Sequence, residues 1–145
     1  MSETGHSVRL ASWPDDQENI KSVRRQVFII EQHVPEELEW DGLDEEAIHI
    51  IAVDNKNKIV GTARLLPTGQ IGRMAVLPNE RNKGIGSDML RLLLNYSSEN
   101  FTRQIFLNAQ LQAISFYEQH GFVQTGEIFD DANIPHCKMV HNPER

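Results

Sequence analysis

The chain predicts a mixed α/β (α+β) fold: a mostly antiparallel central sheet flanked by helices. Three observations predict it. Residues 47–53 (AIHIIAV) and 59–66 (IVGTARLL) are β-rich runs on either side of the turn-rich DNKNK at 54–58, which reads as a hairpin. A third extended run, 70–77, follows the turn at 67–69 and leads into a helical stretch, so a strand meander passes into a strand–loop–helix unit. Beyond residue 104, short extended and helical stretches alternate, as in a layered domain.

From the start of the chain, residues 7–11 form a short first strand. Pro14 and Asp15 open a helix, with Asp15-x-x-Glu18 at capping-box spacing, and Ile20, Val23, Val27 and Ile30 recur at helical intervals to give one apolar face. Val34-Pro35 ends it, because the residue before a proline is pushed out of the helical region. The acidic stretch 36–46 (EELEWDGLDEE) follows, with Trp40 and Leu43 expected to anchor it to the core. Read alone, that run is either a solvated connection or a negative lip that attracts a cationic amine.

After the three-stranded meander a helix covers 88–95, with Ile85, Met89, Leu92 and Leu93 as its buried stripe. A short strand at 105–108, a helix at 112–120 closed by Gly121, a strand at 122–129 and a last strand at 136–140 complete the order. No repeat, low-complexity tract or linker interrupts the 145 residues, which suit one domain spanning 1–145.

Composition excludes several partners. With 14 basic against 21 acidic residues the net charge is −7, which argues against a nucleic-acid surface. No segment approaches the ~20 apolar residues of a membrane span, so no membrane partner is expected. Residues 1–8 have neither a basic start nor an apolar run, and Cys137 is the single cysteine, so a cytoplasmic location is expected.

The most informative segment is RNKGIG, Arg81 to Gly86. It lies between a strand and a helix, so free N–H groups of a helix N-terminus stand beside Arg81 and Lys83, an arrangement suited to an anion. Gly84 and Gly86 let the chain turn tightly and a phosphate come close. A Walker loop is excluded because Ser87 and Asp88, not Lys and Ser/Thr, follow Gly86. A dinucleotide fingerprint is excluded because Met89 stands where its third glycine belongs.

Strand, Pro78, Arg-x-x-Gly-x-Gly and amphipathic helix together resemble the acetyl-CoA pyrophosphate loop of the GNAT superfamily of N-acetyltransferases. Residues 113–122 (AISFYEQHGF) resemble that superfamily's Ala-x-x-(Phe/Leu)-Tyr-x-x-x-Gly-Phe segment. RQVFIIEQ at 25–32 and GEIFDDANIPHCKM at 126–139 are similar to its YjcF-like or ElaA-like branch. The resemblance implies a fold whose fourth and fifth strands splay apart, with the pantetheine arm between them. It implies acetyl-CoA as cosubstrate, no metal, and a small-molecule or peptide amine as acceptor, and it leaves a homodimer open. By position, the cofactor would meet Met74, Ala75 and Val76 on one strand, Arg81, Asn82, Lys83, Gly84, Ile85, Gly86 and Ser87 in the loop, and Asn108 and Gln110 on the other strand. Many members carry Asn where this chain has Gln110, so Asn108 is the alternative hydrogen-bonding partner.

Acetyl transfer to an amine needs a deprotonated amine, a stabilised oxyanion and a proton for the departing thiolate. No Gly-x-Ser-x-Gly elbow occurs, and Cys137 lies in a strand rather than at an activating helix end. Tyr117 matches the family's proton donor: an ordinary phenol, with a pKa of about 10 against about 8.5 for a thiol, keeps its proton at neutral pH and can present it to the departing sulfur. The N–H of Val76, or of a neighbour in the splayed strand, is the expected oxyanion donor. His136, in the late Pro-His-x-x-Met, is the first choice for general base, with Glu31, Asp41, Asp44, His49 or a water as competitors. His136, Cys137 and His141 lack metal-site spacing, since adjacent strand residues point to opposite faces.

Overall fold

Alternating apolar positions and glycine- or asparagine-bearing turns generate a seven-stranded sheet. The computed structural model describes residues 5–101 and 103–142; residues 1–4 of the N-terminal stretch considered above lie outside them. The strands are β1 (His6–Leu10), β2 (Ile48–Asp54), β3 (Ile59–Leu65), β4 (Gln70–Val76), β5 (Phe106–Gln110), β6 (Phe122–Asp131) and β7 (Ile134–His141). Their order is β1-β2-β3-β4-β5-β7-β6, antiparallel throughout except for β4 and β5. The expected meander is therefore β2-β3-β4. β3 is buried along its whole length, because α1 (Trp13–Arg24) and α3 (Ile85–Asn100) both pack against it. Gly61 permits that approach, since a Cβ there would stand 3.2 Å from Ile85 Cγ2 and 3.3 Å from Met89 Cε.

Helix α1 starts earlier than the sequence suggested. Ser12, not Asp15, is the N-cap; Pro14 fits the first turn, where its missing N–H costs nothing, and Asp16 reaches back to accept the Ser12 N–H at 2.9 Å. The helix then passes into a π-helical segment, Arg25–Glu31, with Gln32 N–H donating to Val27 O five residues back at 3.2 Å. This wider winding breaks the expected stripe. Ile20, Val23 and Val27 are buried, but Ile30 is turned out and 62% exposed.

The acidic stretch forms the one-turn helix α2 (Glu36–Glu39) and a loop. Leu43 is exposed and anchors nothing, whereas Trp40 is half-buried with the guanidinium groups of Arg24 and Arg25 over its ring, 5.1 and 5.7 Å from the centroid. In α3 the buried stripe is Ile85, Met89, Leu90 and Leu93; Leu92, expected there, packs at its margin. The helix predicted at 112–120 is shorter, a 3₁₀ turn Leu111–Ala113 followed by α4 (Ile114–Glu118), and Gly121 follows it at φ 87°. β6 is the edge strand at the end of the sheet opposite β1. Its pairing with β7 is interrupted between Thr125 and Phe129, where Gly126 takes φ 80°, and from Gln124 onward it is exposed.

Candidate active site

β4 and β5 are paired only at Gln70–Phe106 and Ile71–Leu107. Beyond that point they part, and β4 carries a bulge at its pairing with β3 between Thr62 and Arg64, where Arg73 adopts φ 50°. The splay that the resemblance implied is thus present. Leu77 N–H donates to Val60 O on β3 at 2.9 Å, so by strand alternation the N–H and C=O of Val76 face the other way, toward β5. Val76 thereby offers a main-chain donor to the split, as an oxyanion site requires. Ala75 is buried opposite Thr62 on β3.

A cavity of about 250 Å³ opens at the split, with Met74, Asn108, Gln110, Tyr117 and His136 among its lining residues. Five of the site residues read from sequence therefore converge from β4, β5, α4 and β7, whereas Ala75, Val76 and residues 81–87 are not among the lining. Asn108 makes no side-chain hydrogen bond to a described residue, which leaves its amide available. Gln110 is committed: its Nε2 donates to Gln32 Oε1 at 2.9 Å, and its Oε1 accepts from Gln112 Nε2 at 2.5 Å.

The loop has the geometry of an anion cradle. Asn82 and Gly84 both take left-handed backbone conformations, φ 65° and 83°, and Gly84 is the N-cap of α3. The first helical bond runs from Asp88 N–H to Gly84 O at 3.0 Å, so the N–H groups of Ile85, Gly86 and Ser87 point out of the helix end. A Cβ built on Gly84 would meet nothing within 4 Å, leaving open space where a phosphate would approach. Gly86 serves packing as well, with Phe116 Cζ 3.5 Å from the place of its Cβ. Ser87 Oγ lies 3.2 Å from His120 Nε2. Lys83 is half-exposed and 3.4 Å from Glu80. Arg81 departs from expectation: its guanidinium is not free for a phosphate but holds both oxygens of Glu31, at 2.8 and 2.6 Å, while its Nε donates to Val76 O at 2.9 Å.

Tyr117 packs edge-on to Phe116 and Phe122, and its hydroxyl reaches Met74 Sδ at 3.6 Å, which sets the phenol against β4 across the split. Burial pushes its pKa up to about 12. The hydroxyl therefore holds its proton at neutral pH.

Of the base candidates, only His136 lines the cavity. It is buried opposite Gln110 and stacked on Phe129, with ring centroids 6.1 Å apart. Its Nδ1 is 2.6 Å from Ile134 O, and a carbonyl only accepts, so Nδ1 carries the hydrogen and neutral His136 keeps Nε2 as its basic nitrogen. Glu31 is held below the usual carboxylate range by its hydrogen bonds from Arg81. His49 donates through Nε2 to Asp44 O at 2.8 Å and stacks on Trp13, and burial lowers its pKa.

Asp41 and Asp44 belong to a buried network that the sequence did not reveal. Three arginines, Arg24, Arg64 and Arg73, meet Glu39, Asp41 and Asp44. Arg24 reaches Glu39 Oε2 at 2.7 Å and Asp44 Oδ1 at 2.6 Å; Arg64 joins Asp44 and both oxygens of Asp41; Arg73 reaches Glu39 and Asp41 at 3.1 Å. Burial opposes ionisation of Asp41 and Asp44, but the arginine hydrogen bonds outweigh it and hold both below the usual carboxylate range. For Glu39 burial wins and its pKa is raised. The acidic stretch is thus neither simply a solvated loop nor a negative lip. Two overlooked residues, Glu39 and Arg73, line the cavity. The available signals were Arg24 on the apolar side of its helix, four residues after Ile20, and Arg64 inside an otherwise apolar strand.

Comparison with known proteins agrees with this architecture. The family described as acetyltransferase (GNAT) domain matches residues 11–142. The "uncharacterized N-acetyltransferase YjcF" of Bacillus subtilis is 38% identical over 122 residues, covering 81% of this chain and 86% of that protein. The crystal structure of Escherichia coli ElaA superposes with a TM-score of 0.84 at 24% identity, covering 94% of this chain and 99% of ElaA. An acyl-CoA N-acyltransferase from Pseudomonas aeruginosa gives a TM-score of 0.79 at 24% identity over 94% of this chain and 97% of that one. With its open-ended β4–β5 pair, its helix-end loop and this sequence kinship, the chain belongs to the GNAT acetyltransferase family.

Proposed function

We propose that the chain acts over residues 1–145 as a cytoplasmic N-acetyltransferase that moves the acetyl group of acetyl-CoA to a primary amine by direct attack on the thioester. The observation that carries this reading is the convergence of Tyr117, His136 and Asn108 on one cavity at the mouth of the split. Acetyl-CoA would supply the activated acyl group. The N–H groups of Ile85, Gly86 and Ser87 would hold its pyrophosphate, aided by Asn82 and Lys83, and Asn108 and the edge of Met74 to Val76 would hold its pantetheine arm. His136 Nε2 accepts the amine's proton, the Val76 N–H stabilises the oxyanion, and the Tyr117 hydroxyl acts as general acid to the departing sulfur.

The test is release of free CoA from acetyl-CoA across a panel of amines. Tyr117→Phe is expected to lower kcat by ~10²-fold while keeping the fold and CoA binding. His136→Ala is expected to remove the limb of the kcat/KM profile that does not move with the acceptor's own ionisation. Binding of acetyl-CoA without turnover for any amine would point instead to an acyl-CoA sensor on the same fold.

A further inference from the structure

No strand pairing joins β4 to β5 beyond Ile71 and Leu107. Two consecutive residues span the split. Glu31 takes both outer nitrogens of Arg81, whose Nε is bonded to the C=O of Val76, the last residue of β4. Gln32 accepts from Gln110, the last residue of β5. The ends of the two diverging strands are therefore tied, through side chains, to neighbouring positions at the end of the π-helical segment. Consecutive side chains on a helical segment point in separate directions, which lets 31 and 32 reach different strands. The Glu31–Arg81 pair is half-exposed and adds little stability as a charge pair, but a two-pronged bond fixes geometry well.

The Gln32–Gln110 bond also walls the cavity that holds Met74 and Tyr117, and Gln112 fixes the far side of the Gln110 amide. We propose that Glu31 and Gln32 form a brace that sets the width of the β4–β5 split, and that the Gln32–Gln110 bond is the length stop that confines the donor to short acyl groups. This rests on the split being the thioester site. An acyl chain long enough to reach the two amides must part them and leave polar groups unsatisfied against hydrocarbon, a penalty that an acetyl group avoids.

The test is calorimetric titration of the purified chain with CoA, acetyl-CoA and hexanoyl-CoA, with the melting temperature of each variant measured alongside. The parent should bind hexanoyl-CoA roughly tenfold or more weakly than acetyl-CoA. Gln32→Ala should close most of that gap without changing the affinity for CoA itself, and Gln32→Leu, which keeps bulk but loses the bond, guards against a mere packing defect. Equal binding of the two thioesters by the parent overturns the brace, as does a gap that survives in both variants. Chain-length discrimination without CoA release from any amine would sink the proposed transfer reaction alone. Turnover with unchanged discrimination in the variants would sink the brace alone, and no binding of any CoA compound would sink both.

Discussion

Two regions of this molecule concentrate charge, and they use it in opposite ways. The loop from Arg81 to Ser87 is short and partly exposed, and it offers main-chain N–H groups to something outside the protein. The arginine–carboxylate network gathers six charges from α1, α2, the following loop, β3 and β4, and satisfies most of them internally. The loop's groups are left open by the backbone conformation itself, so it is prepared for a ligand. The network's groups lie 15 to 34 positions apart along the chain and meet only after folding. A charge left without its partner inside costs far more than one at the surface. Loss of a network member should therefore register in stability, and loss of a loop member in binding.

The largest effect that would break this contrast is expected at Arg24. Arg24→Ala removes the shortest ion-pair partner of both buried Glu39 and buried Asp44 and leaves the network's three carboxylates to two arginines, so it should destabilise the fold by roughly 3–5 kcal/mol in denaturant titration. A cost below about 1 kcal/mol would mean that the network rearranges or admits water freely. Acid titration sharpens the point. Asp41 and Asp44 ionise more readily folded than unfolded, so their contribution is complete above about pH 4, where unfolded carboxylates are charged, and is lost as pH falls through their lower folded values. Asp44→Asn should flatten that acid limb; a limb as steep as the parent's would remove Asp44 from the account.

The loop should respond more mildly in stability. Gly84→Ala places a Cβ on a residue at φ 83°, which should cost about 1 kcal/mol even though the added methyl meets no neighbour. Lys83→Ala should change stability by less than about 0.5 kcal/mol and show itself only as weaker, less salt-sensitive CoA binding. If Lys83→Ala lowered the melting temperature as much as Gly84→Ala, the loop would be a structural turn first.

The same contrast explains what could be read in advance. The loop was legible because its chemistry is contiguous: six residues, two glycines and a following helix fall within one stretch of chain. The meander of β2, β3 and β4 was legible for a similar reason, as hairpins are local. The network was not, because no local pattern says that Arg24 and Asp44 will meet as a buried ion pair. The π-helical segment escaped because RQVFIIE is as good an α-helical stretch by composition, and only packing decides its winding; Ile30 shows the result. Arg81 was read as a countercharge to phosphate, while the fold had already given it Glu31 and Val76.

The edge strand β6 carries a different consequence, one for the protein as a solute. Its outer edge presents unpaired backbone groups, and Ile128 and Phe129 add exposed hydrocarbon to a stretch that would otherwise invite another strand to dock. Glu127, Asp130 and Asp131 stand in the same stretch, so two such edges meeting side by side would bring like charges together. That repulsion weakens as ionic strength rises. At higher ionic strength, association of fully folded molecules through this edge is therefore expected to increase.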